Sequence, residues 1–535
     1  MMMLTRLLAF LLLLSAATTA AAQDDPRSLL TGLSQGGFGD VDEAISAIVE
    51  AGDSSLVPAL EALGEGDLYV NADGVVVIGR RAQGRTLAVS DPITGESLGT
   101  VPSRELDKIR VNNRLRRAVR SAVGSLTLVS PDPALRLTAA ESAYAAADPD
   151  ALDVLEAALA EEQEPEVREA LERARAASLL ASDRPVEEKL EAVRTIVTAG
   201  GRDSRSVLIP LSNSDDPALR EAAQAGIAEV NRSLAMWDAV QNVWYGLSLG
   251  SVLLLAAIGL AITFGVMGVI NMAHGEMVML GAYTTFVVQT SIQASIPHLS
   301  DWSLVIALPL AFLVAAAVGL VVERGIIRWL YGRPLETLLA TWGLSLILQQ
   351  AVRSIFGPSN LQVSNPSWMS GAFEVGGLTI TYSRLWIVVF SLAVFAVLLL
   401  VMRATSFGLR MRAVTQNRRM AASMGIRTPW IDALTFALGS GIAGIAGVAL
   451  SQIGNVSPNL GQGYIIDSFM VVVFGGVGNL WGTLVGAMTL GIVNKLLEPY
   501  AGAVLGKILV LAFIILFIQK RPRGLFALKG RAVEQ

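Results

Sequence analysis

Residues 466–497 read IDSFMVVVFGGVGNLWGTLVGAMTLGIVNKLL. The stretch is apolar enough for a membrane helix, yet Gly475, Gly476, Gly478 and Gly482 stand inside it. Glycine loses the most backbone entropy on ordering, so one straight helix is disfavoured. Two half-helices that re-enter from the outer face are expected instead. This reading decides the topology, because candidate spans flank it at 243–267, 276–293, 303–323, 335–356, 384–402, 429–453 and 503–519. With the first span running inward, the third ends inside at Arg324, Arg328 and Arg333, and the fifth ends inside at Arg403 to Arg427. Both agree with the excess of basic residues on cytoplasmic loops. The C-terminal KRPRGLFALKGR should lie inside too. Simple crossings counted from an outside start leave it outside, and a broken 466–497 restores the parity.

The first half of this apolar region has a counterpart. Residues 269–283, VINMAHGEMVMLGAY, follow Gly265 and Gly268 and place Asn271, His274, Gly275 and Glu276 between apolar stretches. Gly-interrupted segments at corresponding places in two halves mark repeat-built transporters, whose discontinuous helices line the solute path. A charge at the bilayer centre costs at least about 3 kcal/mol, so a protonatable pair at membrane depth is functional by default. Three readings compete: a metal or catalytic pair, a polar turn at the inner surface whose Asn271 and Glu276 cap the next helix, and part of a solute path. One His and one Glu supply two ligands, and no further His-rich or acid-rich membrane cluster supplies a third, which disfavours metal chemistry. An intramembrane hydrolase on His274 and Glu276 lacks a nucleophile and base constellation.

Composition sets the bounds. A 535-residue chain with 53% hydrophobic residues and a mean hydropathy of +0.53 is too apolar for an ordinary soluble protein. The net charge is −5 and no basic run is interleaved with aromatics, so nucleic acid is not an expected partner. No cysteine is present, which removes disulfides, thiolate metal sites and cysteine nucleophiles, and two histidines are too few for an all-histidine zinc site. No cofactor is expected.

The start, MMMLTRLLAFLLLLSAATTAAAQDD, has Arg6, an apolar run from Leu7 to Leu14 and small residues to Ala22. It reads as a signal peptide over 1–22, too short to span a bilayer. From 23 to 235 the chain is rich in Ala, Leu, Glu and Arg with apolar residues at helical spacing. DPALR occurs at 132–136 and again at 216–220, and Pro133, Pro165, Pro185 and Pro217 are spaced 32, 20 and 32 apart. An acid before proline suits a helix N-cap and first turn, so a HEAT-like stack of helices is expected, with chance similarity of Ala/Glu helices as the alternative. The alternating stretch near 68–100 predicts a hairpin or three-stranded β insert. The eleven acids against Arg168 alone between Glu141 and Glu172 read as a solvated face.

Between Arg403 and Arg427, RATSFGLRMRAVTQNRRMAASMGIR carries six arginines and no acid. Orientation alone explains such charges. Leu409, Met411, Val414, Met420 and Met424, with Gly425 as a helix stop, also suit a short helix lying against another protein. GAVLGKI at 502–508 is not a phosphate loop, because its glycine spacing is short by one and Ile508 stands where Ser or Thr is required. No nucleotide engine is therefore expected within the chain.

Four stretches carry a family resemblance: NVWYGLSLGSVLLLAAIGLAITFGVMGVINMAHGEMVMLGAY, LLATWGLSLILQ, FGLRMRAVTQNRRMAASMGI and VVVFGGVGNLWGTLVGAMTLGIVNKLL. In order and spacing, over roughly 240–525, they resemble the permease subunits of branched-chain amino-acid type ABC importers. The secreted extension, Trp342 in ATWG and the FGGVGNLWGT wording are similar to the urea importer permease. The resemblance implies a second homologous permease subunit, two cytoplasmic ATP-binding subunits and a periplasmic solute-binding protein that delivers a small-molecule solute. It implies an inner-membrane protein that is not itself an enzyme, with a periplasmic N-terminal domain and a cytoplasmic tail. The solute expected is urea or a short-chain amide. The alternatives are a branched-chain or other amino-acid permease, and a passive urea or amide channel.

The fold class expected is all-α: a polytopic membrane domain of about eight to nine transmembrane or half-membrane helices with an internal repeat, preceded by a secreted HEAT-like domain with a small β insert. The expected boundaries are 1–22 signal peptide, 23–235 periplasmic repeat domain, 236–525 permease domain and 526–535 tail. Candidates for the solute path are Asn271, His274, Gly275, Glu276, Thr341, Trp342, Gly475, Gly476, Asn479 and Trp481. Candidates for the ATPase-coupling loop are Arg410, Arg412, Arg418, Arg419, Met420, Met424 and Gly425.

Overall fold

The computed structural model describes residues 26–82 and 86–526. The leader expected at 1–22 and the tail beyond Phe526 lie outside the described residues. The chain folds into two compact units that divide between Leu234 and Ala235.

The first unit begins with α1 (Pro26–Gly32), α2 (Phe38–Ala51) and α3 (Val57–Glu65). A five-stranded antiparallel sheet follows, of β1 (Leu68–Val70), β2 (Val76–Arg81), β3 (Thr86–Ser90), β4 (Ser97–Pro102) and β5 (Asp107–Lys108), in the order β4-β3-β2-β1-β5. The insert is larger than the three strands expected, because the two-residue β5 pairs with the far edge of β1 and shows no alternating pattern of its own. Asn71 sets the first turn: its Oδ1 accepts from the Asp73 and Val75 amides. Asp91 does the same for Ile93 and Thr94 and pairs with Arg27 at 3.0 Å.

The remaining helices are α4 (Asn113–Leu128), α5 (Pro133–Ala146), α6 (Leu152–Glu161), α7 (Pro165–Ala181), α8 (Val186–Ala199) and α9 (Gly201–Leu208), each packed on neighbours close in sequence. The repeated DPALR is a repeated capping device. Asp132 Oδ1 accepts from the Ala134 amide and Arg136 Nη1 donates back to Ser130 O, at 2.9 and 2.8 Å. Asp216 and Arg220 repeat both bonds with Ala218 and Ser214, at 2.8 and 2.9 Å. Pro133, Pro165 and Pro217 open helices, where a missing amide is harmless, whereas Pro185 stands one residue before α8. Arg136 also grips the buried Glu162 with two bonds, at 2.7 and 2.9 Å.

In the second unit α10 (Pro217–Met267, reaching back across the boundary), α11 (His274–Ser295), α12 (Ser303–Gly325), α13 (Pro334–Phe356), α14 (Tyr382–Ala404), α15 (Ser406–Gln416), α16 (Arg418–Ser423), α17 (Thr428–Ser451), α18 (Leu460–Gly475) and α19 (Leu480–Lys520) follow in order, with a hairpin of β6 (Ala372–Val375) and β7 (Leu378–Thr381) before α14. Among the described residues, α10, α12 with its preceding turn, α14, α17 and α19 are long and apolar enough to cross a membrane. Helices form over the expected spans 276–293 and 335–356, but Glu276, Gln289, Gln349 and Gln350 keep α11 and α13 more polar. The core is built on α10 and α17, whose apolar windows are each 83% buried, against 22% for α14. Peripheral helices expose Leu313, Val321, Leu339, Ile347, Val397 and Leu400, a surface that water does not favour.

The 466–497 stretch is broken as its glycines require. The chain leaves α18 at Gly475, turns through Gly476 (φ 108°) and Gly478 (φ 80°), and restarts at Leu480. Gly475 and Gly482 cross in backbone contact: a Cβ on either would stand 2.2 Å from the carbonyl oxygen of the other. The turn meets residues 521–526, where the Leu525 and Phe526 amides donate to Phe474 O and Gly475 O at 2.9 and 3.1 Å. Gly502, at φ 75° and ψ 162°, breaks α19 itself, and Lys507 beyond it pairs with Asp467 of α18 at 2.8 Å.

Candidate functional site

The break in the first half lies deep in the unit. After Met267 the chain turns at Gly268 (φ 66°), and His274 opens α11. His274 Nε2 donates to Ala256 O at 2.9 Å. Ala256 precedes the end of α10 by eleven residues, roughly 16 Å along the axis at the α-helical rise. The segment therefore runs back along α10 before the helix starts, which corrects the reading of a polar turn at a surface. Gly275 makes this possible: its Cβ would stand 2.4 Å from Gly461 O, where α18 begins.

Glu276 is buried and turns sideways toward α13 instead of capping its own helix. Its Oε1 accepts from Ser345 Oγ at 2.9 Å and Gln349 Nε2 at 2.8 Å. Thr341, one turn earlier on the same face, accepts from the Met272 amide at 3.1 Å. Asn271 Oδ1 accepts from the Ala273 amide at 3.0 Å. Asn271, His274, Gly275, Glu276 and Thr341 thus come together. Ser345 and Gln349 join them although sequence reasoning missed both. The signal was available: Thr337, Thr341, Ser345 and Gln349 recur every fourth residue, one polar stripe on an apolar helix. Among the described residues, Asn271 Nδ2, His274 Nδ1 and Glu276 Oε2 of this cluster are buried without a hydrogen-bond partner.

Trp342 does not belong to the cluster. One residue turns a helix by about 100°, and its indole is half exposed on the outside of the unit while Thr341 points inward. Gly475, Gly476, Asn479 and Trp481 form a separate group. Asn479 Oδ1 caps α19 through the Trp481 and Gly482 amides, at 3.1 and 3.2 Å. Gly478 rests against Gly265, nine residues along α10 from Ala256, about 13 Å away by the helical rise. Asn479 and Trp481 line a cavity of about 600 Å³ with Gly265, Arg403, Arg412 and Gln416.

The arginine-rich loop is two short helices where one was expected, because Asn417 ends α15 and its side chain caps α16 through the Met420 amide. Met411 and Val414 are buried, while Leu409, Met420 and Met424 are exposed. Gly425, at φ 86°, closes α16: its amide donates to Ala422 O and that of Ile426 to Ala421 O, the paired bonds of a Schellman stop. Arg410 and Arg419 are exposed. Arg412 donates to Met402 O and Arg418 to Asp432, so these two hold the loop to the membrane helices.

Comparison with known proteins fixes what this arrangement belongs to. The family profile described as "Branched-chain amino acid transport system / permease component" matches residues 242–518. The chain belongs to the branched-chain amino acid transport system permease family. The branched-chain amino acid permease LivH of Salmonella typhimurium is 32% identical over 294 residues, covering 54% of this chain and 94% of the relative. BraD of Pseudomonas aeruginosa, named for the same transport role, is 30% identical over 293 residues, covering 54% and 95%. The ribose import permease RbsC of Escherichia coli is 24% identical over 288 residues, covering 52% and 84%. No solved structure matches. The profile leaves the first unit unmatched, so that unit is an addition to the permease family's shared part. The chain is the permease component of an ABC transporter of this type, and the relatives, as transport-system permeases, imply ATP-binding and solute-binding partners.

Proposed function

We propose that this permease carries urea or a short amide, in an importer assembled with a second permease subunit, two ATP-binding subunits and a solute-binding protein. The observation that carries the choice of solute is the pair of unpartnered atoms in the 271–276 segment. Asn271 Nδ2 offers two N–H donors and Glu276 Oε2 an acceptor, both buried. A small neutral amide presents one carbonyl and N–H groups that match them. An amino acid brings a carboxylate that calls for a cation, and the basic residues of the second unit's loops are not among those bonded to this cluster. The importer orientation we favour puts the first unit in the periplasm as a HEAT-like docking platform and the 403–427 loop with residues 521–526 in the cytoplasm, where their arginines satisfy the charge rule. In that orientation the exposed Met420 and Met424 are the anchors for the ATP-binding subunit.

A second reading, a branched-chain amino-acid permease, is favoured by the transport role for which LivH and BraD are named. Calorimetry of the cognate solute-binding protein separates the two. Binding of urea without leucine supports the first, and binding of leucine without urea overturns it.

A further inference from the structure

We propose that Arg418 and Asp432, completed by Tyr331 and Glu323, form a coupling joint that passes movement of α16 to the polar segment 271–276. The proposal rests on the importer reading above. Asp432 of α17 and Glu323 of α12 are both buried, and neither takes part in the polar cluster at Glu276. Asp432 Oδ2 accepts from Arg418 Nη2. The Arg418 guanidinium lies over the Tyr331 ring, with Cζ 5.1 Å from its centroid. Tyr331 OH donates to Glu323 Oε1 at 2.7 Å. Arg324 completes the set, stacked over Trp430 at 4.2 Å with its Nε 3.7 Å from Glu323 Oε2. Two buried carboxylates therefore face two guanidiniums, and one of these comes from the loop expected to meet the ATP-binding subunit.

A buried carboxylate stripped of its cation is strongly unfavourable, so Arg418 does not leave Asp432 without α17 or another cation following it. The joint also reaches the solute segment. Thr337 Oγ1 bonds Leu330 O and Arg333 O at 3.1 and 2.8 Å, fastening the stretch that holds Tyr331 to the first turn of α13. One turn on, Thr341 holds the Met272 amide. Among the described residues Asp432 Oδ1 and Glu323 Oε2 accept no hydrogen bond, and Glu323 Oε2 has only the 3.7 Å approach of Arg324. In the proposed joint Asp432 Oδ1 offers the Arg418 guanidinium a second seat when α16 shifts, which would give two arrangements for the ATP-binding subunit to bias.

The test uses the full chain co-expressed with its second permease, ATP-binding and solute-binding subunits in nanodiscs, with urea or leucine as solute, whichever stimulates the native assembly, comparing Asp432→Asn, Tyr331→Phe and the exchange Arg418→Asp with Asp432→Arg. The ATP-binding subunit should copurify with each variant as with the native chain, while the ratio of solute-stimulated to basal ATP hydrolysis falls roughly fivefold or more in Asp432→Asn. The exchange should recover part of that ratio, which a merely structural loss would not. Tyr331→Phe keeps the ring and removes only the donor to Glu323, so it decides the matter if Asp432→Asn does not reach the membrane. An unchanged ratio in Tyr331→Phe and in any Asp432→Asn obtained overturns the joint. Loss of copurification in step with loss of stimulation also overturns it, since Arg418 would then belong to the docking surface. A native chain that recruits no ATP-binding subunit is a separate failure, of the importer reading itself.

Discussion

Replacing Gly475 with alanine tests the crossing on which the second half is built. Its Cβ would stand 2.2 Å from Gly482 O, and the atoms it meets are backbone, which no rotamer change moves away. Ordinary contact begins at 3.4 Å, so α18 and α19 must part by about 1 Å, an overpacking that costs about 1–3 kcal/mol. Alanine returns about 0.5–1 kcal/mol through better helix propensity, leaving a net loss of about 0–2.5 kcal/mol, centred near 1. Gly482→Ala meets Gly475 O at the same 2.2 Å and should cost a similar amount. The two fill one gap, so the double variant should cost less than the sum. Gly343, on α13, has no atom within 4 Å of its Cβ position and serves as the control. The assay is the thermal unfolding midpoint in mild detergent. It should fall for Gly475→Ala and Gly482→Ala and hold or rise for Gly343→Ala. A midpoint for Gly475→Ala at or above the native value refutes the close crossing.

Other expectations concern separate parts of the chain. Glu276→Ala leaves the Ser345 and Gln349 donors unmade, at about 1–3 kcal/mol for each, and should cut uptake, whereas Glu374→Ala on the exposed β6 strand should not; equal uptake at equal membrane levels would remove Glu276 from the solute path. Arg136 holds the Glu162 carboxyl down to about 2 from an ordinary 4.5. A depressed folded value stabilises above the unfolded one and is lost as pH falls, so the first unit should lose about 2 kcal/mol between roughly pH 4.5 and 2, after allowance for the partly exposed Arg136. Hydrogen exchange across 130–165 should show that loss in the native chain and a flat response in Glu162→Gln. Met420→Asp and Met424→Asp add a charge to exposed apolar anchors without changing the arginines, and should abolish copurification of the ATP-binding subunit while membrane insertion, read by protease accessibility, stays native.

What was legible in the sequence follows from which signals are local. The apolar lengths of α10, α12, α14 and α17 show directly, since a span must be apolar throughout. The break at Gly476 and Gly478 showed because left-handed backbone needs glycine. The depth of the 268–273 return did not, because whether a polar segment lies at a surface or beside Ala256 depends on contacts far along the chain. Trp342 was misplaced by a single residue, which on a helix is a different face. Arg418 stood in the sequence as a coupling-loop candidate, and its bond to Asp432 was not legible because Asp432 lies in the next helix, beyond any local pattern.

The central claim is that this permease, with ATP-binding and solute-binding partners, imports urea or a short amide. Uptake of labelled urea and labelled leucine into proteoliposomes holding the full assembly, with and without ATP on the side of the 403–427 loop, tests it most directly. The account predicts ATP-dependent accumulation of urea above its external concentration and none of leucine. Urea entry that equilibrates without ATP would show a passive channel, and ATP-driven leucine accumulation without urea would contradict the choice of solute.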